Sequence, residues 1–286
     1  KNKREISMRR IMFLFLVFGL LACSPAERPA DKSVATPESN ASETAPEPNM
    51  YVEYLWCSNG ENYSKEAADA RNAIWVDEVN SLGMKDLGAS EITPLGWSSE
   101  NFDRVSVLFW ENKEARDAGW DAYLSSGIEE KLNEAYPDVE TCGGEDWANV
   151  YPTNSYQIRQ VDLSDSFTVG YQFCNFNEGK SPEDLRAFIR GPWADFLARY
   201  ESENPTTTFG TSVNVPDFDD EAVEVHEGVP DTFDYLWVNL WGDPSQREMG
   251  WAAVAEYGQD MMQAANETAT CAEEQVWTGK RIKTRT

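Results

Sequence analysis

Seven landmarks occur twice in this chain, in the same order. Tyr54-Leu55-Trp56-Cys57 is matched by Tyr171-Gln172-Phe173-Cys174, and a Ser-led segment follows each, at Ser64-Lys65-Glu66 and Ser181-Pro182-Glu183. Trp75 lies 18 residues after the first of these cysteines, and Trp193 lies 19 after the second. Val107-Leu108-Phe109-Trp110 corresponds to Val238-Asn239-Leu240-Trp241, and each closing Trp is followed ten positions on by Gly-Trp, at Trp120 and Trp251. Cys142 and Cys271 come 22 and 20 residues later, with Trp147 and Trp277 five and six residues after them. A chain with so many ordered matches is a duplication, and its body must fold as two like units.

Each unit reads strand, helix, strand, strand, helix, strand. In the first, strands are expected near 51–57, 89–97, 104–111 and 146–151, with helices near 64–82 and 113–135. In the second, strands are expected near 167–174, 208–215, 233–241 and 274–278, with helices near 181–201 and 244–267. Ser64 and Ser181 suit helix N-caps, and Pro182 suits a first helical position. Ala68, Trp75 and Val79 recur at helical spacing. A βαββαβ unit is the split-βαβ, ferredoxin-like arrangement, whose sheet order 4-1-3-2 sets strand 1 antiparallel beside strand 4. The fold class is therefore α+β, with repeats at 50–155 and 156–280.

Four cysteines in the body allow three pairings, and the sequence alone does not choose among them. The ferredoxin-like order does. Cys57 and Cys174 end strand 1 of their units, while Cys142 and Cys271 lie just before strand 4. Cys57–Cys142 and Cys174–Cys271 are therefore expected, one equivalent bridge per unit. A thiolate metal site is disfavoured, since no CxxC spacing is present, and no metal or cofactor is expected.

Two such units in one chain resemble the dimeric α/β-barrel superfamily in fused form, in which two sheets face each other. That resemblance covers about 50–280. It implies cofactor-free monooxygenases, haem enzymes and proteins without known activity as relatives, and fold by itself does not choose among them.

Strand alternation assigns residues to faces. Val52, Tyr54 and Trp56, with Val169, Tyr171 and Phe173, are read as helix-facing, as are the aliphatic residues Val105, Val107, Leu236, Val238 and Leu240. The opposite set is aromatic and polar: Glu53, Arg104, Ser106, Trp110, Gln172, Tyr235, Trp237, Asn239 and Trp241. Were the two sheets to face each other, these nine would cluster between them as a ligand pocket, or as inter-sheet core in which Glu53 and Arg104 pair on adjacent strands. Trp75, Trp120, Trp193 and Trp251 are read as helix core.

The N-terminal quarter reads as an address. Arg9-Arg10, the apolar run Ile11–Ala22 and then Cys23 have the organisation of a secretory signal, too short for a membrane span. The seven residues ahead of Met8 fit upstream translation as readily as native protein. Leu20-Leu21-Ala22-Cys23 resembles the lipobox of bacterial lipoproteins, which implies that residues 1–22 are removed and Cys23 is lipidated. Residues 24–49 carry five Pro and no aromatic side chain, a composition that cannot bury a core and reads as an acidic tether. Ser24 after the Cys favours the outer membrane over inner-membrane retention. The expectation is a lipid-anchored protein of the bacterial envelope, facing the periplasm or the cell surface.

Charge and histidine content limit the chemistry. The chain has 50 acidic against 24 basic residues and a formal net charge of −26, the wrong sign for nucleic acid. It contains one His, His226, which rules out two-imidazole metal sites and leaves a single candidate general base. The span from Trp193 to Trp241 exceeds its counterpart by 13 residues and holds Asp217, Asp219, Asp220, Glu221, Glu224, His226 and Glu227. It lacks the EF-hand pattern and reads as a solvated acidic loop. The leading expectation is a non-catalytic module that either binds a small apolar or aromatic ligand or serves as an envelope interaction module, with fused repeats compatible with a monomer. The second is a cofactor-independent monooxygenase-like enzyme with Asn239 and His226 as catalytic candidates, and a haem protein is third.

Overall fold

The computed structural model describes residues 47–143, 150–217 and 232–286. The signal, Cys23, most of the tether, Trp147, His226 and the acidic loop beyond Asp217 lie outside the described residues. Among those described, no helix is long and apolar enough to cross a membrane.

The first unit contains β1 (Met50–Asn59), α1 (Lys65–Ser81), β2 (Gly88–Pro94), β3 (Arg104–Trp110), α2 (Lys113–Ser126), α3 (Ile128–Ala135), β4 (Glu140–Cys142) and β5 (Val150–Arg159). The second contains β6 (Ser166–Phe176), α4 (Pro182–Phe188), α5 (Ala194–Glu203), β7 (Phe209–Pro216), β8 (Tyr235–Trp241), α6 (Pro244–Tyr257), α7 (Gln259–Thr268), β9 (Ala269–Cys271) and β10 (Gln275–Lys283). The helix starts follow local chemistry. The Ser64 hydroxyl accepts the Ala67 N–H at 3.1 Å, and the Asp184 carboxylate accepts the Ser181 N–H at 3.0 Å, with Pro182 opening the helix. These contacts satisfy donors that a helix N-terminus leaves free. The single long helix expected over 113–135 is two helices, because Gly127 takes a left-handed conformation at φ 72° that side-chain-bearing residues avoid.

Each unit forms the expected 4-1-3-2 sheet, β5-β1-β3-β2 and β10-β6-β8-β7. The last long strand of each unit also crosses to the other. β5 pairs β7, with Asn154 opposite Val215, and β10 pairs β2, with Gly279 opposite Ile92. The two sheets thus close into one eight-stranded antiparallel barrel with the helices outside it. The boundary expected at 155/156 falls inside β5, and the described residues belong to one compact unit. Cys57 stands opposite Cys142 on β4 and Cys174 opposite Cys271 on β9, and both expected disulfides are present.

The face assignment is reversed. Val52, Tyr54, Val105, Val107, Val169, Tyr171, Phe173, Leu236 and Val238 pack inside the barrel. An eight-stranded barrel has an interior just wide enough for side chains, so it takes the branched aliphatics and a few rings edge-on. The large aromatics need the deeper space between helix and sheet. Trp237 and Trp241 pack beneath the second unit's helices with Phe188, Trp193, Phe196 and Tyr200. Tyr51, Leu55, Leu108 and Trp110 do the same in the first unit.

Candidate functional site

Closure of the barrel separates the nine residues expected to cluster between the sheets. Gln172, Tyr235, Trp237, Asn239 and Trp241 come together, but on the outer face of the second unit, under α4–α7. Ser106 and Trp110 line the equivalent cavity of the first unit. Glu53 and Arg104 are buried in that unit, at 0% and 2% exposure, and do not pair with each other. In the β1–β3 register Arg104 stands opposite Cys57, and Glu53 stands opposite Leu108. Arg104 reaches Glu91 at 3.2 Å and also binds Glu140. Glu140 in turn holds Arg71 at 2.8 Å, so a buried chain of charges ties α1 to β3 and β4.

The second unit's cavity measures about 120 Å³. Its wall is aromatic. Trp193 meets Trp237 edge-on with centroids 5.1 Å apart, Phe209 lies 5.9 Å from Trp241, and Leu185, Val254 and Met261 complete it. The polar side chains are few. Trp237 donates its indole N–H to the Asn239 amide oxygen at 2.9 Å, which fixes that amide at the cavity, and Gln172 stands beside Trp237 across the β6–β8 register. The indole nitrogens of Trp193 and Trp241 are buried without an acceptor, an uncommon condition for buried donors. Burial, reinforced by the charge of Asp234, holds the Tyr235 hydroxyl well above the usual phenol range, so it stays protonated. Among the described residues, no carboxylate, imidazole or free thiol lines this cavity; Cys271 lies on the wall but is disulfide-bonded.

The two units differ in how the tryptophans beside these cavities are held. In the first, Glu53 on β1 accepts from Trp110 at 2.8 Å, from Trp120 at 2.9 Å and from Arg116 at 2.6 Å. The equivalent of Glu53 in the second unit is Gly170. There Glu274, from the segment before β10, reaches into the vacated space, where a Cβ on Gly170 would collide with it. Glu274 takes the equivalent partners, Arg247 at 2.5 Å and Trp251 at 3.2 Å. Trp241 is left out of that set, and its indole nitrogen faces Gly250 instead, 3.3 Å from where a Cβ would stand. Arg71, Arg116, Glu140 and Glu274 do not stand out in the sequence. The mismatch of Glu53 with Gly170 across the repeat is the one signal pointing to the last of them.

No protein-family model matches the chain, and no curated protein matches it by sequence. Solved structures do align with it. A putative monooxygenase from Lactobacillus acidophilus NCFM aligns over 82% of this chain and 95% of its own at 9% identity and TM-score 0.47. A mutant chlorite dismutase from Candidatus Nitrospira defluvii covers 83% and 94% at 10% identity and TM-score 0.46. A heme-binding protein from Thermus thermophilus covers 82% and 91% at 9% identity and TM-score 0.45. The strand order fixes the architecture independently. It is a closed eight-stranded α/β barrel built from two ferredoxin-like units. A haem does not fit the barrel's second-unit cavity, because about 120 Å³ is the scale of a single aromatic ring. The described wall also offers no imidazole or thiolate ligand.

Proposed function

We propose that this fused α/β barrel is a lipid-anchored protein of the bacterial envelope that binds a small aromatic or apolar ligand without transforming it. The ligand site is the cavity between α4–α7 and the outer face of β6–β8. The observation that carries this reading is the aromatic wall of Trp193, Phe196, Trp237 and Trp241 around a void of about 120 Å³. An apolar cavity of this scale accommodates a ring-sized guest, and the Asn239 amide held by Trp237 supplies orientation. The lipobox reading of Cys23 places the anchor ahead of the tether.

The test uses indole and phenol as probes, followed by calorimetry and thermal unfolding. Saturable binding that raises the melting temperature is expected, together with its loss in Trp237→Ala and in Ala265→Phe, which fills the cavity. Absence of binding by either probe, or unchanged affinity in both variants, overturns the reading. Labelled palmitate should be incorporated into the full chain and not into Cys23→Ser.

An enzymatic reading, cofactor-independent oxygenation of a substrate in the same cavity, draws on the Trp237–Asn239 hydrogen bond. It requires turnover of a bound aromatic compound that disappears in Asn239→Ala while binding survives.

A further inference from the structure

A second void lies inside the barrel, separate from the helix-covered cavity, and its chemistry is different. It measures about 320 Å³, within the size range of small-molecule sites. One side is apolar, formed by Ile92, Phe109, Phe167 and Leu240. The other is a fixed polar wall. Asn214 accepts from Ser155 at 2.8 Å and from Ser212 at 3.2 Å, and donates to the Tyr54 hydroxyl at 2.8 Å. At the end of β10 the void is met by Arg281 and Lys283.

Lys283 stands apart from the other buried cations, and Arg281 beside it is half-buried. Arg71 and Arg104 are each paired with two carboxylates. Lys283 is only 5% exposed, and its ammonium donates to the backbone carbonyls of Lys85 at 3.1 Å and Leu87 at 2.8 Å. An ammonium has three donors, so one remains. Arg281 spends one donor on the Leu163 carbonyl. Among the described residues, neither forms an ion pair, although the chain carries 50 acidic side chains. Asp162 lines the void but is exposed at its rim, and Asp86, whose charge acts on Lys283, is also exposed. A buried cation without a counter-ion is costly, and an anion seated in the void would supply one.

We propose that the barrel interior binds a small organic carboxylate, its acid group at Lys283 and Arg281 and its apolar body against Ile92, Phe109 and Phe167. The cationic end selects the anion. The closed barrel limits its length, since Tyr54 and Tyr171 cross the interior and mark the floor of the site.

Calorimetric titration of the full chain with sodium hexanoate and with hexanamide tests this. Hexanoate is expected to bind at least tenfold more tightly than the amide, with affinity that falls as salt rises. Lys283→Met should remove that preference, and Lys283→Arg should keep most of it. Equal affinity for acid and amide, no saturation by hexanoate at millimolar concentration, or full hexanoate affinity in a folded Lys283→Met overturns the proposal. If Lys283→Met fails to fold, the acid-to-amide comparison on the unaltered chain decides it.

Discussion

Tyr54 and Tyr171, equivalent residues of the two repeats, meet inside the barrel with ring centroids 5.7 Å apart and planes at 87°. They are also hydrogen-bonded, and Asn214 donates to the same Tyr54 oxygen at 2.8 Å. Burial holds both phenols above their ordinary range. Tyr54→Phe strands the Asn214 amide and removes the acceptor for Tyr171. A buried donor without a partner costs about 1–3 kcal/mol. Urea denaturation should show a loss in that range for Tyr54→Phe, and a smaller loss for Tyr171→Phe. The double variant should lose less than the sum of the two, as coupled neighbours do.

The disulfides close sequence separations of 85 and 97 residues. In the chain-entropy account, loops of that length are worth about 4–5 kcal/mol each. Cys57→Ala with Cys142→Ala should therefore cost about as much as Cys174→Ala with Cys271→Ala. Chemical denaturation of the two double variants checks the equivalence. A bridge removed at no cost would mean that the β1–β4 or β6–β9 pairing holds its edge unaided.

How much of this is legible in the sequence depends on which interactions repeat. The duplicated Cys and Trp positions, with capped helices between alternating strands, define two ferredoxin-like units and both disulfides. What they do not define is which sheet face closes inward. Alternation separates the aliphatic positions Leu236 and Val238 from Trp237 but carries no sign. The sign depends on closure through β5–β7 and β10–β2, contacts about 60 and 190 residues apart along the chain. The aromatic set therefore stands out as special, while its expected side of the sheet is the wrong one. Five of its nine members still share one cavity, since residues alternating on β6 and β8 stay together whichever face they occupy. Glu274 escapes the sequence reading because its partners lie on another element and its repeat equivalent, Glu53, lies on a strand.

Asp217 gives a pH-dependent tie between β7 and the first unit. Its carboxylate accepts from Tyr51 at 2.7 Å and from Lys113 at 2.6 Å. Partial burial alone would raise its pKa, but these two donors outweigh that and hold it below the ordinary value of 3.8. A carboxylate depressed by folding adds stability above its unfolded value, and that stability is lost as pH falls through the folded one. Asp217→Asn should therefore destabilise the protein at neutral pH by about 1 kcal/mol, since Lys113 is solvent-exposed and screened. The gap between variant and unaltered protein should narrow below pH 3.8. Denaturation midpoints at pH 7 and at the lowest pH where the fold persists measure both arms.

Gly170 and Glu274 make the sharpest test of how the repeats diverged. Gly170→Ala places a methyl group where the Glu274 carboxylate sits, and that carboxylate is only 7% exposed and held by Arg247 and Trp251. Moving it breaks a buried ion pair, so the substitution should cost about 3 kcal/mol or more. Glu274→Ala alone leaves Arg247 without its carboxylate and should cost a similar amount. Combining them should add little, because once Glu274 is gone the space beside residue 170 is free. The decisive variant is Gly170→Glu with Glu274→Ala, which rebuilds on β6 the arrangement that Glu53 makes on β1 with Arg116 and Trp120. It should recover most of the stability lost in Glu274→Ala, measured by urea denaturation. No recovery would show that the carboxylate must approach Arg247 from the β10 side, and that the two arrangements are not interchangeable.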